Sequence, residues 1–91
     1  MLSHSPIDLQ KVPGKDLDKE ILRLGIIAEL DAVSLYEQLA ARTKDKKIKE
    51  VFLDIAKEEK THIGEFQAML LERDEEQVKE LEEGKREVQG I

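Results

Sequence analysis

Two long runs of this chain carry apolar side chains at alternating steps of four and three, and neither run contains a proline. In the first the stripe is Leu22, Ile26, Glu29, Val33, Tyr36 and Ala40; in the second it is Ile48, Phe52, Ile55, Glu59, His62, Phe66 and Met69. That spacing lines one face of an α-helix and suits no strand, whose faces repeat at every second residue. It predicts a first helix from about Asp16, with Asp16 or Asp18 as N-cap, to Arg42. At about 1.5 Å per residue such a helix is roughly 40 Å long. A second helix is predicted to start under a cap from Thr43 or Asp45 and to run to about Glu72. Only Thr43-Lys44-Asp45-Lys46 lies between them, and so short a connection makes antiparallel neighbours. A third, weaker helix is expected from a cap at Asp74 through Val78 and Leu81 to near Gly84. Residues 1–15, with Pro6, Pro13 and Gly14, read as an irregular N-terminal arm, which leaves residues 16–91 as one helical domain.

Both stripes are interrupted at mid-length, the first by Glu29 and the second by Glu59 and His62. An ionised carboxylate loses several kcal/mol on burial, and two facing carboxylates repel each other as well. A protonated His62 supplies one compensating charge. A divalent metal offsets more charge in less space and accepts carboxylate oxygen and imidazole nitrogen together. Glu59 and His62, three residues apart, share a helical face and can share an ion. Di-iron carboxylate centres in four-helix bundles use a lone Glu from each of two helices and a Glu-x-x-His pair from each of the other two. This chain holds half of that set. Two copies about a twofold axis would complete it and place two metals at the shared interface. The alternative for Glu29 is a seam charge that fixes helix pairing, and for Glu59 and His62 an ordinary surface pair or a satisfied core histidine.

Burial alone also demands partners. Beside its main stripe the first helix carries Leu24, Ile27, Leu30 and Leu35, and the second carries Leu53, Ala56, Ile63 and Leu70. A two-helix hairpin has a single inner face, so the surplus rows predict cover from further chains. The formal charge of −6 disfavours nucleic acid and anionic membrane as partners and favours cations. No run of about 18 apolar residues is present to span a membrane, and no leader pattern opens the chain, so a cytoplasmic protein is expected. The absence of cysteine excludes disulfides, thiolate metal sites and thiol redox chemistry.

Through Ala28-Glu29-Leu30-Asp31-Ala32-Val33-Ser34-Leu35-Tyr36-Glu37-Gln38 and Glu58-Glu59-Lys60-Thr61-His62, and more weakly from about Leu17 to Leu81, the sequence resembles the encapsulated ferritins. These are short two-helix relatives of ferritin and rubrerythrin, and the resemblance extends to the ferritin-like domain of fused archaeal encapsulins. It implies an all-α fold, a two-helix hairpin with a short C-terminal helix, whose four-helix bundle is completed by dimerisation. It also implies Fe(II) oxidation with two irons per dimer interface, a ring-shaped decamer, and housing inside an encapsulin nanocompartment that stores iron. Glu29, Glu59 and His62 match the family's metal ligands and Tyr36 a tyrosine beside them, so these four are the expected catalytic residues. Tyr36 lies two turns beyond Glu29, where its hydroxyl can reach a ligand. Where some members have acids at two positions and an aromatic at a third to guide iron inward, this chain has Ala28, Asp31 and Leu35. Only Asp31 keeps the acid. Manganese is the second candidate metal, with calcium or zinc as crystallisation surrogates. The rival readings are a rubrerythrin-like peroxidase or manganese enzyme, and a metal-free helical oligomerisation module in which the acids set register.

Overall fold

A computed structural model describes residues 8–91, and within them every element is helical. Helix α1 spans Leu17–Arg42, α2 Lys46–Leu71 and α3 Glu75–Gln89. Expectations that fall on residues 1–7 lie outside the described part of the chain. The arm before α1 is less irregular than its prolines suggest, for it holds two short 3-10 turns, Leu9–Lys11 and Gly14–Asp16. The first is capped by the Asp8 carboxylate, which accepts from the Gln10 N–H at 3.1 Å.

The helix starts follow local chemistry. Asp45 Oδ1 accepts from the Ile48 N–H at 2.9 Å and Asp74 Oδ1 from the Gln77 N–H at 3.0 Å, each satisfying a donor that a helix N-terminus leaves without a partner. Asp16 precedes α1 but makes no such bond, because the Gly14–Asp16 turn leads straight into the helix. Helix α3 does not stop near Gly84 but continues to Gln89. A helical glycine costs only about 1 kcal/mol, and nothing after Gly84 breaks the turn.

Helices α1 and α2 pack along their length, whereas α3 touches only the end of α2 among the helices. The molecule measures 47 × 40 × 20 Å with a radius of gyration of 16.3 Å. A compact chain of this length would have about 12 Å. The hairpin and a projecting α3 account for the difference.

Only Ala40, Ala56 and Leu70 are buried apolar residues among those described. The seven-residue count places Ala56 and Leu70 in the surplus row of α2, while Ile48 and Met69, expected in its inner seam, are exposed. A strict seven-residue count drifts by about 20° per heptad on a straight helix, which carries the contact face toward Ala56 and Leu70. Ile21, Leu30, Leu35, Leu39, Val51 and Leu53 are all at least 40 % exposed. Of the surplus rows read from the sequence Leu30, Leu35 and Leu53 are exposed, whereas Ala56 and Leu70 are buried within the hairpin.

Gly25 has a specific reason to lack a side chain. A Cβ there would meet the Phe66 ring at 3.2 Å, so the glycine lets α2's aromatic lie against the α1 backbone. Gly25→Leu is expected to displace that ring and destabilise the fold by about 1–3 kcal/mol despite leucine's better helix propensity. Urea denaturation checks this.

The remaining anchor is polar. Arg23 donates to Glu20 Oε1 at 2.6 Å and to Asp74 Oδ2 at 2.9 Å, tying α1 to the start of α3. The hydrogen bond to Glu20 holds the Arg23 guanidinium above its ordinary pKa, against partial desolvation. The Gln77 N–H, followed by the positive charges of Lys19 and Arg23, holds the Asp74 carboxyl below the usual carboxylate range. Because the folded value is the lower one, this contribution is complete above the unfolded carboxyl value near pH ~4 and is lost as pH falls through the folded value. Acidification below pH ~4 is therefore expected to release α3. Asp74→Asn, which still caps but carries no charge, should flatten that dependence when helicity is followed by circular dichroism against pH.

Candidate metal centre

Glu29 projects from the middle of α1, and Glu59 and His62 lie one turn apart on the facing stretch of α2. His62 Nδ1 stands 3.5 Å from Glu29 Oε1 and 3.4 Å from Glu59 Oε2. One donor atom from each of the three residues lies within 4.8 Å of the others. These separations exceed the 2.7–3.2 Å of an ordinary N–H···O hydrogen bond. They approach the ~3–3.4 Å between donor atoms that share one ion at about 2.1 Å.

The surroundings favour the same occupant. The Glu29 and Glu59 side chains are 18 % and 19 % exposed and His62 is 44 % exposed, so the group is closed by the hairpin and opens past the imidazole. Glu29 Oε2 is buried and accepts no hydrogen bond from the described residues. Leaving such an atom unsatisfied costs about 1–3 kcal/mol, more when it is charged. A cation between the carboxylates would offset that cost, and two hard oxygens with one imidazole nitrogen suit a first-row divalent metal. The donor set therefore fits an ion, though one chain supplies fewer donors than such an ion normally takes.

The other expected site residues are arranged differently. Tyr36 is not in the trio; its ring packs on Phe52, with centroids 5.8 Å apart and planes at 38°, two turns along the seam from Glu29 and Glu59. Asp31 is half-buried on α1 and also lies outside the trio, since two residues turn it by about 200° from Glu29. Sequence reasoning missed the Arg23 network and the Lys60–Glu37 ion pair of 2.8 Å across the hairpin. No local pattern signals contacts between residues 51 and 23 positions apart.

The pattern of the family described as rubrerythrin matches residues 20–89, a span that contains both mid-helix interruptions. The chain belongs to the rubrerythrin family. This rubrerythrin-family chain is 52% identical over 93 aligned positions to a ferritin-like-encapsulin shell fusion protein of Pyrococcus furiosus. The alignment covers all of this chain and 27% of that relative's length. Its fold matches the crystal structure of the encapsulated ferritin domain from Pyrococcus furiosus with a TM-score of 0.86 at 49% identity, covering 100% of this chain and 95% of that one. The resemblance drawn from the Glu29 and Glu59-to-His62 segments is thus shown, and the helical hairpin with its third helix is the fold of a rubrerythrin-like, ferritin-like domain. Among the described residues no helix is long and apolar enough to cross a membrane.

Proposed function

We propose that this rubrerythrin-family domain is a ferroxidase that oxidises Fe(II) to Fe(III) with O2 at a centre shared by two copies. The observation that carries this reading is the convergence of Glu29, Glu59 and His62 at mid-hairpin, with a buried carboxylate oxygen that none of the described residues donates to. A second copy about a twofold axis would present the same trio and raise the ligand count to four carboxylates and two imidazoles, enough for two irons. It would also cover the exposed His62 side of the hairpin and complete a four-helix bundle.

In this role the carboxylates bind Fe(II) and favour the more highly charged Fe(III) state. Two irons held side by side each give up one electron to the same O2, which with two protons becomes hydrogen peroxide. Complete reduction to water takes four Fe(II) and four protons. Glu29, Glu59 and His62, fixed by the two paired hairpins, would hold the metals in place. Tyr36, two turns along the seam, is assigned the positioning of a ligand across the interface. Asp31 is assigned a minor part in guiding iron inward.

The relative's shell fusion suggests the setting: a cytoplasmic encapsulin nanocompartment that stores the Fe(III) produced, with the domain assembled as a ring-shaped decamer. Aerobic Fe(II) titration followed by absorbance near the ultraviolet tests the activity. Fast oxidation by wild type that is lost in Glu29→Ala supports the reading, and equal rates remove it. Faster turnover with hydrogen peroxide than with O2 would reassign the same centre to a peroxidase.

A further inference from the structure

The connection between the two long helices carries a charge that neither the fold nor the proposed centre uses. Residues 42–49 hold Arg42, Lys44, Lys46, Lys47 and Lys49 against Asp45 alone, a net charge of +4 in a chain whose formal charge is −6. The Asp45 carboxylate is already engaged as the cap of α2, where it accepts from the Ile48 N–H at 2.9 Å. All five cations are exposed, and among the described residues none of them forms an ion pair.

Local stability works against this arrangement. Asp18 and Glu20 stand in the first turn of α1, and Glu75 and Glu76 in that of α3, as the positive end of a helix dipole favours. The first turn of α2 holds no acid, and Lys46, Lys47 and Lys49 oppose its dipole. Lys46 and Lys49 are also neighbours on one helix face, where like charges repel. Arg42, at the end of α1, and Lys44, in the connection, add two more cations to the same tip of the hairpin. An anion that meets several of these groups at once relieves their repulsion. Because the side chains are exposed and enclose no single ion, an extended anion fits them better than a compact one.

We propose that the 42–49 turn binds a short linear polyphosphate, its successive phosphates facing Arg42, Lys44, Lys46, Lys47 and Lys49, with free inorganic phosphate as the weaker form of the same ligand. Ammonium and guanidinium groups are strong donors to phosphate oxygens. Other polyanions fit less well. Single-stranded nucleic acid is held by stacking its bases on aromatic rings. All three rings of this chain are engaged within the hairpin, Tyr36 on Phe52 and Phe66 against Gly25. A duplex or a bilayer extends past the turn and meets the net −10 of the remaining residues, which a short phosphate chain avoids. Thirteen residues at about 1.5 Å each put Lys46 roughly 20 Å along α2 from Glu59, so the anion site and the metal centre are separate.

Isothermal titration calorimetry of the full chain, with chelator present, tests this against inorganic phosphate, short-chain polyphosphate, a single-stranded oligonucleotide with the same number of phosphates, and anionic phospholipid vesicles. Polyphosphate is expected to bind most tightly, with log K falling against log salt at a slope of about −3, as about four contacts on a single-stranded polyanion give. Replacing three exposed lysines in one chain (Lys44→Gln, Lys47→Gln, Lys49→Gln) should weaken it on the order of 100-fold and flatten the slope, with helical content retained in circular dichroism. Amide NMR shifts of the wild type on adding polyphosphate should centre on residues 42–49. Absence of polyphosphate binding, unchanged affinity in the triple variant, or shifts centred on α3 or the arm each overturn the proposal. So does an oligonucleotide, vesicle or inorganic phosphate that binds as tightly as the chain. Glu29→Ala should bind polyphosphate as wild type does, and the triple lysine variant should oxidise Fe(II) at the wild-type rate, so this proposal and the ferroxidase reading fail separately.

Discussion

Glu29→Leu is expected to stabilise the metal-free protein while reducing the rate of Fe(II) oxidation by more than 100-fold. The two effects have one cause. Glu29 Oε2 is buried with no donor among the described residues, so the apo fold carries the penalty of a partly desolvated carboxylate facing a second one, Glu59. Leucine has a similar reach, removes the unsatisfied atom and adds apolar surface to a seam formed by Ile26, Val33 and Ile55. Since the residue as a whole stays part-exposed, the gain belongs at the low end of the range for relieving a buried unsatisfied group, about 1 kcal/mol. The rate loss follows from ligand count. Altering a residue that only supports a ligand costs 10–100-fold in metal affinity or activity, and removing a ligand from both halves of a shared centre costs more. Denaturation with chelator and oxidation kinetics on the same preparation measure both signs. A variant that is less stable than wild type without metal would show that Glu29 serves the fold, as a register charge, and would take the centre away with it.

How much of this was legible in the sequence depends on which interactions are local. The interruption of two apolar stripes by Glu29, Glu59 and His62 is a periodic signal, and helix geometry converts it directly into convergence once the helices pair antiparallel. The caps at Asp45 and Asp74 were legible for the same reason, because each acts within three residues of itself. The extension of α3 to Gln89 was not, since Gly84 weakens a helix without forbidding it. The buried trio Ala40, Ala56 and Leu70 was only partly legible. Which side of an amphipathic stripe turns fully inward depends on the slow drift of a straight helix against a seven-residue count, and that drift is settled by packing. Contacts such as Arg23–Asp74 join distant positions through a particular crossing of α3, and no composition or spacing rule marks them. The aromatic layer of Tyr36 and Phe52 falls between these cases: both positions were placed in the seams, but their meeting needed the register between helices.

Divalent metal should raise the thermal stability of the protein by an amount that few surface changes match. A ligand that binds only the folded, paired state shifts unfolding by RT ln(1 + [L]/Kd), about 2.7 kcal/mol at a hundredfold excess over Kd. For a domain of this size each kcal/mol moves Tm by roughly 4–8 °C, which gives an expected rise of roughly 10–20 °C. Anaerobic Fe(II) is the metal to use, with Mn(II) as a redox-silent control. The increase should vanish in His62→Ala, because that imidazole is the one donor of the trio at the opening and its loss removes a ligand without unpacking the seam. It should persist in Glu80→Lys, whose altered side chain is on α3 and outside the trio. Calorimetric scans of the three proteins with and without metal separate the outcomes. A rise of equal size in His62→Ala would mean that cations act through the acidic surface at large, and the mid-hairpin carboxylates would then be register charges in a metal-free helical assembly.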